Sequence, residues 1–432
     1  MSKKAEAGAA VKSVSGGRAY WVLVALLAGL VAGAGAAALG DGLREPALQA
    51  STMIGGLWLN ALKMTVIPLI VALLVTGVAK GAEAARAGRI AGRSVLWIVI
   101  VCTASAIFGT LMIQFLTGLF PLPEAAAQAL RAGLSGIDPA TASAPVPGVA
   151  DFFRGIIPEN VIAAASNGDV LPLVVFSLLF ALAAARIPEQ QRRSLVGLFE
   201  AVSDALLVVI GWVLWIAPLG VFALAFTVGA SAGGAAFAAL AHYIVLISVL
   251  GVAITIAGYP LAILAGGVGA GSFTRAMIAP QSVAISTRSS LASLPAMLAA
   301  ARVMGIREQV ADVTLPMSVA LFRATGPAMN VAVAFYVAHW LGIEPSMGQM
   351  IAATAVASVI SYGAVSLPGE VSYISSIAPI AMALGVPIAP LALLVAVEMV
   401  PDIFRTLGNV TLDVAVTAVV DRSTGARDKA AA

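Results

Sequence analysis

Apolar residues dominate the chain from Tyr20 to Val420, and short polar clusters divide them into runs of the length a membrane-crossing helix needs, about 20 residues. The pattern predicts spanning helices near Tyr20–Leu39, Met53–Ala79, Ser94–Phe120, Val170–Ala185, Val202–Val228 and Ala236–Ala265. Two interrupted apolar segments follow, Gly266–Ala301 and Gln349–Ala383, and helices near Val313–Leu341 and Pro390–Val420 lie between and after them. The alternation of a membrane-spanning barrel is absent.

One stretch breaks the apolar pattern with a second pattern. Leu391 to Thr417 carries Glu398, Asp402, Arg405, Asn409 and Asp413 at gaps of four, three, four and four. At about 3.6 residues per turn those five share one helical face. An ionisable group at membrane depth costs about 2.5–3.5 kcal/mol even on the gentlest scale. Such a stripe therefore faces protein, water or a polar cargo rather than lipid. The bland reading is internal pairing of Asp402 with Arg405 at i, i+3, but five polar groups exceed what one pair needs. Acids beside an arginine suit a ligand that carries both charges.

Composition supports a polytopic membrane protein. The 432 residues are 60% hydrophobic and only 10% charged, with mean hydropathy +1.01, whereas a soluble domain is about a quarter charged. The single cysteine, Cys102, lies in an apolar run, which excludes a disulfide within the chain. The pI near 9.1 reflects loop lysines and arginines, and no nucleic-acid partner is expected. Met1–Gly17 reads as a disordered cytoplasmic tail, and Pro121–Pro158 as a long, weakly structured loop. With the N-terminus inside, sixteen basic residues fall on the cytoplasmic side and only Arg44, Arg131 and Arg154 on the other. That count holds only if both interrupted segments enter and leave on the same side.

The interrupted segments share a signature. Ser-Leu-Pro recurs at 293–295 and 366–368, near the middle of each, where proline and small polar residues are expected to break the helix. Paired broken segments in corresponding places are the best sequence pointer to a transporter binding site. Arg288 stands among Ser286, Thr287, Ser289 and Ser290, a set suited to an anion; the plain alternative is an arginine reaching a membrane interface. Arg323 interrupts an apolar run and needs an acid, which the stripe offers, and Glu370 follows the second Ser-Leu-Pro-Gly. His242 and His339 read as interfacial, Lys63 and Asp169 as scaffold or cavity residues. Gly-Ala-Ser-Ala-Gly at 229–233 has the spacing of a nucleophile elbow but falls in a loop with no strand before it, and Asn409-Val-Thr411 lies inside a helix. No catalytic residues, zinc pattern or nucleotide loop are found, and no cofactor is expected.

At these residues the chain resembles the glutamate/aspartate and dicarboxylate:cation symporter family over most of its length. D-I-F-R-T-L-G-N-V-T-L-D (Asp402 to Asp413) is similar to that family's substrate- and cation-binding helix. Ser286 to Pro295 is similar to its first re-entrant hairpin and Ser361 to Gly369 to its second, the gate. Asn167 to Pro172 and Ala217 to Phe222 resemble its fourth and fifth spans.

The resemblance implies an all-α polytopic membrane protein with eight transmembrane helices, two re-entrant helical hairpins and a homotrimeric, elevator-type mechanism. The implied division is a cytoplasmic tail (1–19), a scaffold and trimerisation domain (20–91 and 155–232), a transport domain (92–120 and 233–421, hairpins 266–301 and 349–383) and a second tail (422–432). It implies that Arg405 binds the side-chain carboxylate and Asp402 the amino group. It implies too that Asn409 and the Ser289/Ser290 hairpin hold the α-carboxylate, that Thr406 supports Arg405 or the ligand, and that Leu367, Pro368 and Gly369 close the gate.

The departures bear on coupling. Where the family's seventh helix carries N-M-D-G-T, this chain has F-R-A-T-G (Phe322 to Gly326), and Ala364 stands where a sodium-ligating threonine is common. Hard cations need several oxygen ligands. Asn409 and Asp413 keep only a residual sodium site, and no confident metal site is expected. Arg323, placed near Asp413 or Asn409, is expected to replace the bound cation. Arg323, Glu370, Glu398 and Asp413 are the expected coupling residues, with a proton rather than sodium as the partner ion. The expected function is secondary active uptake of aspartate or glutamate across a bacterial inner membrane, both termini cytoplasmic, among membrane lipids. The alternatives are a C4-dicarboxylate carrier and, in another class, an uncoupled anion channel or facilitator; a hydrolase acting through Ser231 is more distant.

Overall fold

A computed structural model describes the backbone of residues 3–36, 41–86, 88–124, 127–128, 156–232, 235–321, 323–361 and 369–428. Every element among these residues is helical. The order is α1 Lys3–Ala36, α2 Asp41–Arg86, α3 Arg89–Leu119, α4 Val161–Asn167, α5 Val170–Ala184, α6 Glu189–Trp215, α7 Ala217–Ala232 and α8 Ala235–Pro260, which runs on as a π turn over Leu261–Ala265. Then come α9 Ala270–Thr287, α10 Ser290–Val303, α11 Glu308–Leu321, α12 Thr325–Leu341, α13 Met347–Ile360, α14 Gly369–Leu384, α15 Ala389–Leu394 and α16 Met399–Asp428. Five described helical stretches are long and apolar enough to cross a membrane: Arg44–Ala85, Arg89–Leu119, Glu189–Trp215, Ala236–Ala265 and Met399–Gly425.

Burial ranks these helices. The most apolar window of α16 is 83% buried and that of α6 only 17%. The helix with the charged stripe is thus the central one, and α6 leaves Trp212 and Trp215 exposed on an apolar flank. Around α16 pack α3, α8, α9, α10, α11 and α12. A second group forms where α1 packs on α7, and α2 on α5, α6 and α7. Glycine permits the tightest crossings. A Cβ on Gly33 would lie 2.2 Å from the Phe226 carbonyl oxygen, and one on Gly109 would lie 2.4 Å from the Ala328 Cα. Hydroxyl pairs add polar ties between apolar helices, Thr103 with Ser358 at 3.0 Å and Thr110 with Thr354 at 2.8 Å.

Several boundaries differ from the sequence expectation, and proline explains three of them. The expected span Val202–Val228 is two helices parted at Ile216, because Pro218 has no N–H and α7 restarts from the Ile216 carbonyl. The expected helix Val313–Leu341 breaks between Leu321 and Thr325. Pro327 cannot donate to the Arg323 carbonyl, which takes Gly326 N–H at 2.8 Å instead. The last helix breaks over residues 395–398, where Pro401 leaves the Val397 carbonyl without its helical donor. Glu398 therefore sits in a turn before α16, not on the same helical face as the other four stripe residues.

Proline does not mark the first hairpin. Its break falls at Arg288–Ser289, and Pro295 lies inside α10. The second break lies between α13 and α14, and Ser366, Leu367 and Pro368 are outside the described residues. The N-terminal segment expected to be disordered is helical from Lys3, in keeping with its alanine, lysine and glutamate content. The C-terminal tail likewise continues α16 to Asp428, where Arg307 ties it by bonds to Asp421 Oδ1 and Thr424 Oγ1, both 2.7 Å. The Gly-x-Ser-x-Gly motif was expected in a loop, but its residues 229–232 form the end of α7.

Candidate functional site

Three chain breaks converge on the first turns of α16. Arg405, 9% exposed, sends Nη2 to Glu398 Oε1 across the break in its own segment. Its Nη1 goes to Asn330 Oδ1 on α12, and its Nε lies 3.8 Å from Asp402 Oδ1. A buried guanidinium held on three sides has a fixed aim, which a long flexible side chain lacks at a surface. Glu398 is itself 5% exposed, and its second oxygen, Oε2, accepts the Tyr243 hydroxyl at 2.9 Å. The Tyr243 hydroxyl also lies 3.1 Å from that of Tyr373 on α14.

Asp402 collects positive charge from other elements. It interacts electrostatically with Arg405, with Arg288 at the hairpin break and with Arg323 at the α11–α12 break. Arg288 holds φ 49° and ψ 38°, the left-handed region, and is the non-glycine residue with positive φ among those described. That conformation costs about 1–2 kcal/mol for an L-residue. It makes the turn: the Arg288 N–H closes α9 on the Ala284 carbonyl at 2.9 Å, and Ser289 caps α10, its side chain accepting from Ala292 N–H. Ser290 is the first residue of α10. Strain of this kind concentrates at functional sites.

Other expected residues have structural partners already. Asn409 Oδ1 accepts the Thr325 N–H at 2.9 Å and lies 2.6 Å from the Thr325 hydroxyl, so it caps α12 from a neighbouring helix. Only its amide nitrogen remains for a carboxylate ligand. The Thr406 hydroxyl donates to the Asp402 carbonyl at 2.9 Å. Arg323, expected beside Asp413 or Asn409, interacts electrostatically with Asp402, and two residues on, Thr325 donates its N–H to Asn409 Oδ1. Asp413 is fully buried and lies near Cys102, and among the described residues neither of its carboxylate oxygens has a hydrogen-bond partner. Gly369 and Glu370 open α14, and their side-chain surroundings, with Leu367 and Pro368, lie outside the described residues.

Sequence reasoning missed Asn330, Tyr243 and Tyr373. Each is a buried hydrogen-bonding group inside an apolar helix, and that isolation was the available signal. The assembled cluster has three guanidiniums and two carboxylates within reach of one another, Arg288, Arg323 and Arg405 against Asp402 and Glu398. Such a site has one net positive charge and groups of both signs, which suits a small anion that also carries an ammonium.

The sequence profile described as the sodium:dicarboxylate symporter family matches residues 19–423. The proton/glutamate-aspartate symporter of Escherichia coli (strain K12) is 25% identical over 412 residues, 93% of this chain and 91% of the relative. The C4-dicarboxylate transport protein of Laribacter hongkongensis is 26% identical over 419 residues, covering 95% and 90%. The proton/sodium-glutamate symport protein of Bacillus subtilis (strain 168) is 27% identical over 431 residues, covering 96% and 94%.

Proposed function

The chain belongs to the sodium:dicarboxylate symporter family, and from that premise we propose that it takes up aspartate or glutamate across a bacterial inner membrane, without sodium and with protons. The observation that carries the reading is the mixed-sign cluster at the breaks beside α16: Asp402 among Arg288, Arg323 and Arg405. Arg405 anchors the side-chain carboxylate. Asp402 receives the ammonium. Ser289, Ser290, the Asn409 amide and the Arg288 side chain hold the α-carboxylate, and the dipole at the α10 N-terminus adds to them.

Family membership and the sequence pattern support a wider proposed mechanism. Residues 92–120 and 233–421 carry the substrate as a transport domain with two re-entrant hairpins, and residues 20–91 and 155–232 form a trimeric scaffold. Leu367 to Gly369 form the gate, and both termini are cytoplasmic. The loss of oxygen donors at Phe322 to Gly326 supports sodium independence. So does the use of Asn409 Oδ1 to cap α12. Glu370, Glu398 and Asp413 are the acids available to a coupling proton.

A C4-dicarboxylate carrier is the second reading, favoured by three guanidiniums around one aspartate. Uptake of labelled aspartate and labelled succinate by purified protein in liposomes, under separately imposed proton and sodium gradients, tests both. The proposal expects uphill aspartate uptake with the proton gradient alone. Uptake that requires sodium, or that follows succinate and ignores aspartate, contradicts it.

A further inference from the structure

Asp402 and Glu398 differ in how their charge is compensated. Asp402 is reached by three guanidiniums, Arg288, Arg323 and Arg405. Among the described residues Glu398 has one cation, Arg405, and that is the group a substrate carboxylate claims on the proposed reading. Glu398 is 5% exposed, and a buried carboxylate that loses its only cation is strongly destabilised. Its second oxygen is held by a hydroxyl chain. Tyr243 gives its one proton to Glu398 Oε2, so Tyr373 must be the donor of the Tyr373–Tyr243 pair. All donors of that chain point toward the carboxylate. Rotation of two hydroxyls reverses the order, with Glu398 donating to Tyr243 and Tyr243 to Tyr373.

We infer that Glu398 takes up a proton when the pocket holds a C4-dicarboxylate and stays ionised when it holds an acidic amino acid, so that one pocket serves both substrate classes. The inference rests on the proposal that this pocket binds the substrate. Both ligands bring two carboxylates, but only the amino acid brings an ammonium. With a dicarboxylate the buried site is one positive charge short. A proton from bulk water, forming one O–H bond at Glu398, replaces the ammonium. The titratable and charged groups facing Glu398 are Arg405 and Asp402 from α16, Tyr243 from α8 and Tyr373 from α14. Asn330 on α12 holds Arg405 and does not titrate. Asp402 shares Arg288 with the ligand and keeps Arg323 whichever ligand enters, and among the described residues Asp413 has no hydrogen-bond partner. Tyr243 and Tyr373 are positioning residues that act through Glu398.

Calorimetry at pH 7.5 in buffers of differing ionisation heat counts the protons taken up with L-aspartate and with succinate. Unmodified protein takes up about one proton more per succinate than per aspartate, and in Glu398→Gln the difference falls to zero. The amide mimics the protonated acid, so Glu398→Gln also shifts relative affinity toward succinate by about tenfold or more at pH 8. Tyr243→Phe keeps the ring and removes the hydroxyl; it alters the pH dependence of succinate binding and leaves that of aspartate unchanged. Equal proton counts in the unmodified protein overturn the inference, whether or not the variants fold. A difference that persists in Glu398→Gln overturns it too, because the proton then rides on succinate or another group. Binding of aspartate without succinate also sinks it, and binding of neither removes the functional reading beneath it.

Discussion

Arg405 reaches back over a break in its own segment to Glu398, seven residues earlier, and the two are paired in a buried site before any ligand arrives. The break makes this possible: in a continuous helix two residues seven apart lie about two turns, or 10 Å, from each other. The arginine proposed to anchor substrate is thus already engaged, and on that proposal an incoming carboxylate must share or displace Glu398. Binding is an exchange of partners, which ties substrate chemistry to the protonation of the site.

Asp402→Asn separates the two substrate classes from the other side. The substitution removes the proposed partner of the ammonium and keeps the shape. It is expected to weaken aspartate binding by about tenfold or more while weakening succinate binding less, because a charged hydrogen bond is worth about 1.5–3 kcal/mol. Parallel titrations of both ligands check it. Equal losses would remove the ammonium assignment.

Arg288 carries strain and charge at once, and Arg288→Gly pulls them apart. Glycine accepts φ 49° without penalty. The variant is expected to melt at the same temperature as the parent or higher, by an amount equivalent to about 1 kcal/mol, yet to bind aspartate more weakly. A fall in both stability and affinity would mean that the arginine braces the hairpin rather than serving the ligand.

Gly33→Ala tests the α1–α7 crossing independently of the site. The added methyl meets the Phe226 carbonyl at 2.2 Å and the Ala230 nitrogen at 2.8 Å. Overpacking of this kind costs about 1–3 kcal/mol. Gly35→Ala is the control, since nothing lies within 4 Å of its Cβ position. Thermal melts in detergent should separate the two variants, with only Gly33→Ala destabilised. Identical melts would contradict the close approach.

Sodium dependence tests the reading of the missing oxygen donors. Aspartate affinity measured in sodium and in choline is expected to differ by less than tenfold, which is about 1.4 kcal/mol of coupling. A larger tightening by sodium would show that cations bind in spite of Phe322 to Gly326 and the engagement of Asn409.

The polar stripe exposed the core of the site to sequence reading because Asp402, Arg405, Asn409 and Asp413 depart from an apolar background at helical spacing. The helix breaks were harder to read. Pro218, Pro327 and Pro401 each follow a break, yet Pro68, Pro280, Pro295 and Pro316 sit inside helices that continue through them. Whether a proline ends a helix depends on what else satisfies the freed carbonyl, and that is decided by tertiary neighbours. The same dependence hid the partners. Arg323 needed an acid, and its approach to Asp402 depends on where the α11–α12 break lies. Asn330, Tyr243 and Tyr373 come from three separate helices, and no spacing along the chain links them to Arg405.

The central claim is that Arg405 is the carboxylate anchor of an acidic-substrate site, and side-by-side titration of L-aspartate into the unmodified protein and Arg405→Ala tests it most directly. Truncating one partner of a buried charged pair costs about 2–5 kcal/mol, so the account predicts binding by the parent and a loss of at least about thirtyfold in the variant. Gel filtration and a melt must show that the variant still folds. Unchanged aspartate affinity in a folded Arg405→Ala protein would contradict the account.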